Sequence, residues 1–412
     1  MYFLYDIFTR LIILISPIIF LIRIIKGKEH PKKFIEKYTI YKNKKIESQS
    51  IWFHAVSVGE LMSVIPILKK LEKNKKIKKI ILTTSTTSSA KIFSKLKFKK
   101  TFHKYFPLDS NYHTKRFIKH WKPQIAVFIE SEIWPNMIKN LYENNIPIII
   151  LNGRITEKSF RRWKIFPKFA KDVFNKITLA MPQNSETFKY LKLLGVKNIK
   201  MPGNIKYYGK KKLKKDNSIL KKKFKGYNIW CAASTHDKEE VVIANLHKEL
   251  KKIKEKLLTI IIPRHIKRSK NIINKLNKIG IKTITHTSQN KITKNTDIYL
   301  VDSYGEASKF YDLTNITFVG GSLIKHGGQN PLEPARSGNF IINGPNIKNF
   351  TEVYAFLKKN NISLTTLRTS EMKKIILEKF NYKITKKNKK KIFNIGEKIL
   401  YKNMLLINEY VK

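Results

Sequence analysis

Short apolar runs alternate with amphipathic stretches along most of this chain. The runs are rich in Ile, Val and Leu and are bounded by polar residues, Gly or Pro, which is typical of parallel strands buried on both faces. In the first half they predict strands at Ile51–Val56, Lys79–Thr84, Ile125–Glu130, Ile146–Leu151 and Ile177–Met181. In the second half they predict strands at Ile229–Ala233, Leu257–Ile262, Ile281–Thr285, Asp297–Val301, Ile316–Val319 and Phe340–Ile342.

A Lys-rich stretch, Lys210–Gly226, separates the two series of strands. The pattern therefore predicts two doubly wound α/β domains, residues 29–208 and 209–390, that face each other across a cleft. Residues 391–412 read as a last helix that packs back on the first domain. In open sheets of this kind ligands bind at the carboxyl ends of the strands, and the most informative motifs fall there.

The first 28 residues form a separate segment. Leu11–Ile22 carries no charge, but it is shorter than the about 20 residues that a straight membrane span needs. Arg23, Lys26 and Lys28 follow it, and such cations can reach back to the membrane surface. We expect a single-pass or interfacial anchor with the remaining chain on the cytoplasmic side. A buried helix of the first domain is the alternative.

Composition limits the classes of protein and of partner. The 412 residues are 42% hydrophobic, which excludes a disordered basic tail protein. A single cysteine excludes a disulfide framework. The net charge of +55 favours phosphate-bearing partners such as nucleic acid or an anionic membrane. The lysines are dispersed in runs typical of solvated surfaces, so the charge alone identifies no partner.

In the first half, two acidic motifs follow predicted strands. Glu60 begins a helix directly after the strand at Ile51–Val56. A carboxylate at this position is explained either by its favourable interaction with the helix dipole or by a role as general base. His54 lies inside that strand and is predicted to be a core residue or a support for the site. Glu130 and Glu132 follow another strand; if the strand continued they would point the same way, and one would have a raised pKa. The alternative is a helix start at Pro135.

In the second half, Pro263 and Arg264 end a strand. The guanidinium group of an arginine can bind phosphate or carboxylate through bidentate hydrogen bonds. A surface ion pair is the alternative for Arg264. Two Gly-Gly pairs, Gly320–Gly321 and Gly327–Gly328, let the backbone approach a ligand closely. Glu333 follows in the first turn of a helix and is placed to accept hydrogen bonds from ribose. With no Walker A, paired-His or Asp-x-Asp motif in the chain, these residues favour metal-independent group transfer from a nucleotide-activated donor.

Seven motifs in this order resemble the bacterial 3-deoxy-D-manno-octulosonic acid (Kdo) transferases of lipid A biosynthesis. The resemblance covers essentially the whole chain. The motifs are His54–Glu60, Glu130–Asn136, Asn152–Arg154, Gly203–Lys206, Ser234–His236, Pro263–His265 and Gly327–Pro334.

The resemblance implies an inverting GT-B glycosyltransferase of lipopolysaccharide biosynthesis with two Rossmann-like domains and no cofactor or metal. It implies CMP-Kdo as the donor, lipid IVA as the acceptor, and a place on the cytoplasmic side of the cell inner membrane. By this resemblance Glu60 is the general base, and Glu130 and Lys206 stabilise the transition state. The residues implied to bind CMP are Pro263, Arg264, Tyr304, Gly305, Glu306, Asn330, Pro331, Leu332 and Glu333.

Three positions depart from the family pattern. Thr83–Ala90 lacks the expected Pro and Gly, Tyr208 stands in place of an Asp, and Lys238 stands in place of a Gly. Two other functions stay open at this point. One is a GT-B transferase that uses another nucleotide sugar. The other is a non-catalytic basic protein that binds RNA or membrane, which would leave the Gly327–Pro334 motif unexplained; we therefore expect no nucleic-acid partner.

Overall fold

A computed structural model describes residues 1–41, 50–208, 217–288 and 290–411. The chain divides into two compact units. Unit 1 comprises Met1–Tyr208 and Gly396–Lys412, and unit 2 comprises Gly209–Ile395. The first part of the predicted Lys-rich linker, residues 210–216, lies outside the described residues. The cleft between two domains stays a prediction.

Unit 1 is built on a parallel sheet of six strands in the order β3-β2-β1-β4-β5-β6. The strands are β1 (Ser50–His54), β2 (Ile80–Thr84), β3 (Thr101–Tyr105), β4 (Pro123–Ile129), β5 (Ile148–Gly153) and β6 (Leu179–Pro182). The helices are α1 (Tyr2–Ile25), α2 (Val58–Lys73), α3 (Thr87–Ser94), α4 (Asn111–Trp121), α5 (Pro135–Glu143), α6 (Glu157–Lys164), α7 (Pro167–Phe174) and α8 (Ser185–Leu194). The strand order reverses between β1 and β4, and ligands of doubly wound sheets bind at such a point.

Both faces of the first sheet are covered by helices. Along β1, Ile51 and Phe53 pack into one hydrophobic cluster, and Trp52 packs into the cluster on the opposite face. All three side chains are fully buried, because successive residues of a strand alternate between the faces of the sheet. Leu400 and Ile407 of the C-terminal helix complete one of these clusters.

Helix α1 is long and apolar enough to cross a membrane, with a mean hydropathy of 2.3 over its most apolar window. Pro17 lies inside it and has no N–H to bond the Ile13 carbonyl. The Ser16 hydroxyl donates to that carbonyl instead, at 2.7 Å. The helix therefore continues through the proline.

Unit 2 has a parallel sheet of seven strands in the order β13-β12-β11-β7-β8-β10-β9. The strands are β7 (Asn228–Thr235), β8 (Leu257–Pro263), β9 (Thr283–Thr285), β10 (Ile298–Leu300), β11 (Ile316–Val319), β12 (Phe340–Asn343) and β13 (Ser363–Thr365). The helices are α9 (Ser218–Lys223), α10 (Glu239–Lys251), α11 (Ser269–Lys278), α12 (Ala307–Tyr311), α13 (Leu332–Ser337), α14 (Thr351–Lys359), α15 (Thr369–Lys379) and α16 (Lys386–Asn408), whose residues from Gly396 onwards belong to unit 1. Here the order reverses between β7 and β11.

The predicted fold class is confirmed as two parallel-sheet α/β domains preceded by an apolar helix. All eleven predicted strands are present with small shifts of their ends, and two further strands, β3 and β13, were not predicted. Both lie at the edge of a sheet. Only the first and last side chains of β3 are buried, and the three between them are exposed or partly exposed, so the sequence there lacks a continuous apolar run.

Candidate active site

Glu60 lies in the first turn of α2, directly beyond the carboxyl end of β1. Its carboxylate accepts hydrogen bonds from the Val56 backbone N–H at 2.7 Å and from the Ser57 hydroxyl at 2.9 Å. Ser57 in turn accepts the Glu60 backbone N–H at 3.3 Å. This reciprocal arrangement resembles a capping box, with the N–H of Val56 in place of that of the cap residue Ser57, and it fixes the carboxylate over the end of β1.

The pKa of the Glu60 carboxyl is raised above its ordinary value. Burial of the half-buried side chain is the largest cause, and the negative charges of Glu130 and Glu132 add to it. The hydrogen bonds from Ser57 and Val56 oppose these effects without cancelling them. A carboxylate with a raised pKa is a stronger base than an ordinary surface glutamate, which suits proton abstraction.

Glu130 follows β4, the strand next to β1 in the sheet. Its backbone has a φ of +62°, and β4 ends at Ile129. The strand therefore does not continue through Glu130 and Glu132, and the helix start at Pro135, given as the alternative, is present. The left-handed turn sends the two carboxylates to different partners. Such backbone strain in a non-glycine residue is typical of functional sites.

The buried Glu130 carboxylate forms an ion pair with the Lys206 ammonium group. Two amides position the turn that carries Lys206. Asn204 Oδ1 accepts the Lys206 backbone N–H at 2.9 Å, and Asn152 Oδ1 accepts the Ile205 N–H at 3.1 Å. The structure thus brings Glu130 and Lys206 together, as residues that act on one substrate need to be.

His54 is fully buried in β1, in agreement with its prediction as a core or supporting residue. Its Nδ1 lies 2.9 Å from Thr83 Oγ1, and its Nε2 lies 3.4 Å from Glu132 Oε2. The Trp134 indole N–H donates to the same Glu132 oxygen at 2.8 Å. The sequence places Glu132 near Glu130 but gives no sign of these partners, because they depend on how three strands lie side by side.

In unit 2, Arg264 is exposed directly after the buried Pro263 at the end of β8. Three histidines from separate loops lie close by. The rings of His236 and His326 are 4.2 Å apart, and those of His236 and His265 are 5.9 Å apart. Burial, and to a lesser extent the neighbouring His326, His265, Arg264 and Arg268, lower the pKa of His236 to about 4. The exposed Arg264 thus presents a positive charge at these strand ends, which favours an anion.

The buried Glu239, which sequence reasoning missed, holds the loop after β11. Its carboxylate accepts the backbone N–H groups of His236, Gly321, Ser322 and Leu323 at 2.8–3.1 Å. A Cβ on Gly320 would lie 2.5 Å from Ser234 O, so glycine is required there by the protein's own backbone. The pattern that could have indicated this residue is the acidic pair Glu239–Glu240 in the first turn of the helix after β7.

The other residues implied to bind CMP fall on two loops of unit 2. Tyr304 is 69% exposed, Gly305 has a φ of +82°, and Glu306 pairs with Lys309. Asn330 Oδ1 accepts the Leu332 N–H at 3.0 Å. Among residues 330–333, Pro331 and Leu332 are buried, so only the side chains of Asn330 and Glu333 are accessible to a ligand.

The second glycine pair, Gly327–Gly328, also lies against the protein itself. A Cβ on Gly327 would be 2.6 Å from Asn349 Nδ2, and one on Gly328 would be 3.2 Å from Asn346 O. At both glycine pairs, neighbouring loops of the protein thus occupy the close position that was predicted for a ligand. The positions of the two loops are fixed by this packing.

Comparison with known proteins agrees with this arrangement. A family model described as 3-Deoxy-D-manno-octulosonic-acid transferase (kdotransferase) matches residues 32–208. The chain is 31% identical over 415 residues to the 3-deoxy-D-manno-octulosonic acid transferase of Rickettsia bellii, covering 99% of this chain and 98% of the relative. It is 30% identical over 405 residues to the enzyme of that name from Haemophilus influenzae, covering 96% and 94%.

Among solved structures, the chain is similar in fold to UDP-GlcNAc 2-epimerase from Neisseria meningitidis bound to UDP-GlcNAc. The TM-score is 0.56 at 13% identity, covering 88% of this chain and 99% of the other. Two parallel-sheet α/β domains of this kind are those of the GT-B glycosyltransferases. The family model and the curated relatives show that the chain is a glycosyltransferase. Within that class it belongs to the 3-deoxy-D-manno-octulosonic acid (Kdo) transferase family, which confirms the resemblance found in the sequence.

Proposed function

We propose that this protein is an inverting, metal-independent glycosyltransferase that moves Kdo from CMP-Kdo to lipid IVA in lipopolysaccharide biosynthesis. Membership of the Kdo transferase family supports the transferred sugar. The acceptor and the place of the reaction, the cytoplasmic side of the inner membrane, are proposed from the family resemblance and from the apolar helix α1.

Glu60 acts as the general base, and the observation that carries this assignment is its raised pKa at the end of β1. The Glu60 carboxylate takes the proton of an acceptor hydroxyl. The hydroxyl oxygen forms a bond to the anomeric carbon of Kdo as the bond from that carbon to the CMP oxygen breaks. The electron pair of the broken bond leaves with CMP. Attack opposite to the leaving group inverts the configuration at the anomeric carbon.

Glu130 and Lys206 orient the sugar and balance its charge. Kdo carries a carboxylate, and the partly exposed Lys206 ammonium group is a suitable cation for it. The buried Glu130 holds that ammonium group in place and keeps the net charge of the empty site low. Lys206 can then move towards the substrate carboxylate when the donor binds.

Unit 2 binds the nucleotide. Arg264 places positive charge at the end of β8, beside the rings of His236 and His326, where the negative charge that develops on the CMP phosphate would be stabilised. The exposed Glu333 and Asn330 are assigned to the ribose and the base. Pro263, Tyr304, Gly305, Glu306, Pro331 and Leu332 form the walls of this nucleotide site in our proposal.

The experiment is incubation of the purified protein with CMP-Kdo and lipid IVA, followed by mass spectrometry of the lipid. We expect a mass increase that corresponds to added Kdo, and no increase with Glu60→Gln. Titration with CMP, UDP and GDP tests the nucleotide, and CMP should bind most tightly. Equal or tighter binding of UDP would instead favour a GT-B transferase with another donor.

A further inference from the structure

Helix α1 has two sharply different sides. The residues that are not exposed are Tyr2, Tyr5, Asp6, Thr9, Ile13, Ser16, Phe20, Arg23 and Ile24. They recur every three or four positions and so form a single stripe along the helix. The opposite side is apolar and open, with Phe3, Leu14 and Ile25 each at least 74% exposed.

Specific contacts hold the N-terminal end of this stripe against unit 1. The Tyr5 hydroxyl donates to Asp109 Oδ2 at 2.9 Å. The Asp6 carboxylate accepts the Asn111 backbone N–H at 3.0 Å and the Asn136 side-chain amide at 3.3 Å. These bonds tie α1 to the first turns of α4 and α5.

Similar contacts hold the other end of the helix. The Ser16 hydroxyl bonds to the Tyr38 hydroxyl, and the Phe20 ring packs edge-on to the Tyr38 ring at 5.7 Å. Arg23 pairs at 3.3 Å with the buried Glu29. From Tyr5 to Phe20 the contacts extend over about 22 Å, at about 1.5 Å per residue.

This docking is incompatible with a membrane span. The hydrocarbon core is about 30 Å thick, so a spanning α1 would carry Asp109, Asn111 and Tyr38 into it. Detaching α1 instead would break every contact of the stripe and expose the buried Glu29 and Asp109.

We propose that α1 lies in the plane of the membrane, with its open apolar side inserted into one leaflet and its polar stripe fixed to unit 1. The choice of a lipid surface as the partner rests on the proposed function, whose acceptor is a membrane lipid. The exposed cations Lys26, Lys28, Lys32 and Lys33 follow the helix, so the leaflet that fits is one with anionic headgroups.

Depth measurements on the full-length protein test this arrangement. Single cysteines at Leu4, Leu14 and Ile25, all on the open side, carry a fluorophore, and lipids with quenchers at known depths report its position in phosphatidylcholine–phosphatidylglycerol vesicles. The unsubstituted protein is the labelling blank, because its one cysteine, Cys231, is fully buried. Ile219→Cys in unit 2, at an 83% exposed position, is the control for a label in water.

We expect the three labels to be quenched at the same shallow depth, and binding to weaken when phosphatidylglycerol is left out. A spanning helix would place the label at Leu14 about 15 Å deeper than that at Leu4, and this result would overturn the proposal. Absence of quenching at all three positions would also overturn it. Failure of the proposed function shows separately, as absence of Kdo transfer to acceptor dispersed in detergent, where there is no bilayer.

Discussion

Asp109 joins the apolar helix to the acidic site through a single carboxylate. It accepts the Tyr5 hydroxyl at 2.9 Å and the backbone N–H groups of Asn136 and Met137 at 3.2 and 2.8 Å. Asn136 and Met137 are in the first turn of α5, which begins directly after the segment that holds Glu130 and Glu132. The position of α1 and the start of α5 are therefore set by the same group.

Tyr5→Phe should loosen the docking of α1. The substitution keeps the ring but removes one hydrogen bond to a buried carboxylate, which contributes about 1–2 kcal/mol. Amide hydrogen exchange in α1 should become about 5- to 30-fold faster in detergent solution. Tyr401→Phe, at an exposed position, is the matched control and should change nothing. Unchanged exchange in Tyr5→Phe would show that this bond does not hold the helix.

Glu60→Gln should reduce Kdo transfer by about 10²- to 10⁴-fold, because the amide cannot accept the proton from the acceptor. The affinity for CMP should stay the same, since the nucleotide is assigned to unit 2. Kinetics with saturating donor and calorimetry with CMP measure the two quantities.

Because Glu60 also caps α2, a structural loss needs its own control. Ser57→Ala removes the helix cap at a cost of about 1 kcal/mol and one hydrogen bond to the carboxylate, while the bond from the Val56 N–H to the carboxylate remains. It should retain most of the activity. If Ser57→Ala were as inactive as Glu60→Gln, the cap and not the base would explain the loss.

The pH dependence of the reaction should report the raised pKa of Glu60. The base acts when deprotonated, so the rate should rise with pH through that pKa, above the ordinary glutamate value of 4.5. Glu132→Gln removes one of the negative charges that raise it, and the acidic limb of kcat/KM should move to lower pH. Glu186→Gln, far along the chain on α8, should leave the limb in place. A shift in the opposite direction would contradict the assignment.

Arg264→Ala should weaken CMP binding by about 2–3 kcal/mol, the value of a lost charge-assisted contact to phosphate. This corresponds to an increase in Kd of about 30- to 150-fold, which calorimetry can measure. Lys267→Ala removes a neighbouring exposed cation and should have a much smaller effect. Equal effects of the two variants would indicate general electrostatic attraction, with no specific role for Arg264.

Lys238→Gly should stabilise unit 2. Lys238 has a φ of +74°, a left-handed conformation that costs a residue with a Cβ about 1 kcal/mol, and it stands where the family pattern has glycine. Amide exchange in β7 and α10 should therefore become slower. Lys238→Ala removes the same charge but keeps the Cβ, so it should give no gain; an equal gain would assign the effect to charge.

The sequence predicts the fold well where burial is complete. Strands such as β11 are apolar on both faces, and their bounds agree with the prediction to the residue. The edge strands β3 and β13 were missed because an edge has fewer buried positions, and Thr101–Tyr105 contains both histidine and lysine. A continuous apolar run therefore predicts the central strands of a parallel sheet, but it does not predict the edge strands.

The candidate site was predictable only in part. Glu60 and Glu130 could be placed at strand ends, since each follows an apolar run. The turn at Glu130 could not, because its positive φ is imposed by the hydrogen bonds of its backbone to Leu151 and Arg154. The sidedness of α1 was present in the sequence as a stripe of tyrosine, aspartate and serine every three or four residues, but the high overall hydropathy obscured it.

A helix that is fastened to the protein at both ends does not act as a flexible tether. Because α1 and Glu60 belong to the same unit, an α1 that lies in the leaflet as proposed would hold Glu60 at a constant height above the lipid headgroups. Only a sugar hydroxyl that projects from the leaflet by that distance would then reach Glu60. The enzyme would thus select its acceptor partly by how far the sugar stands out of the membrane, before any contact with the sugar itself.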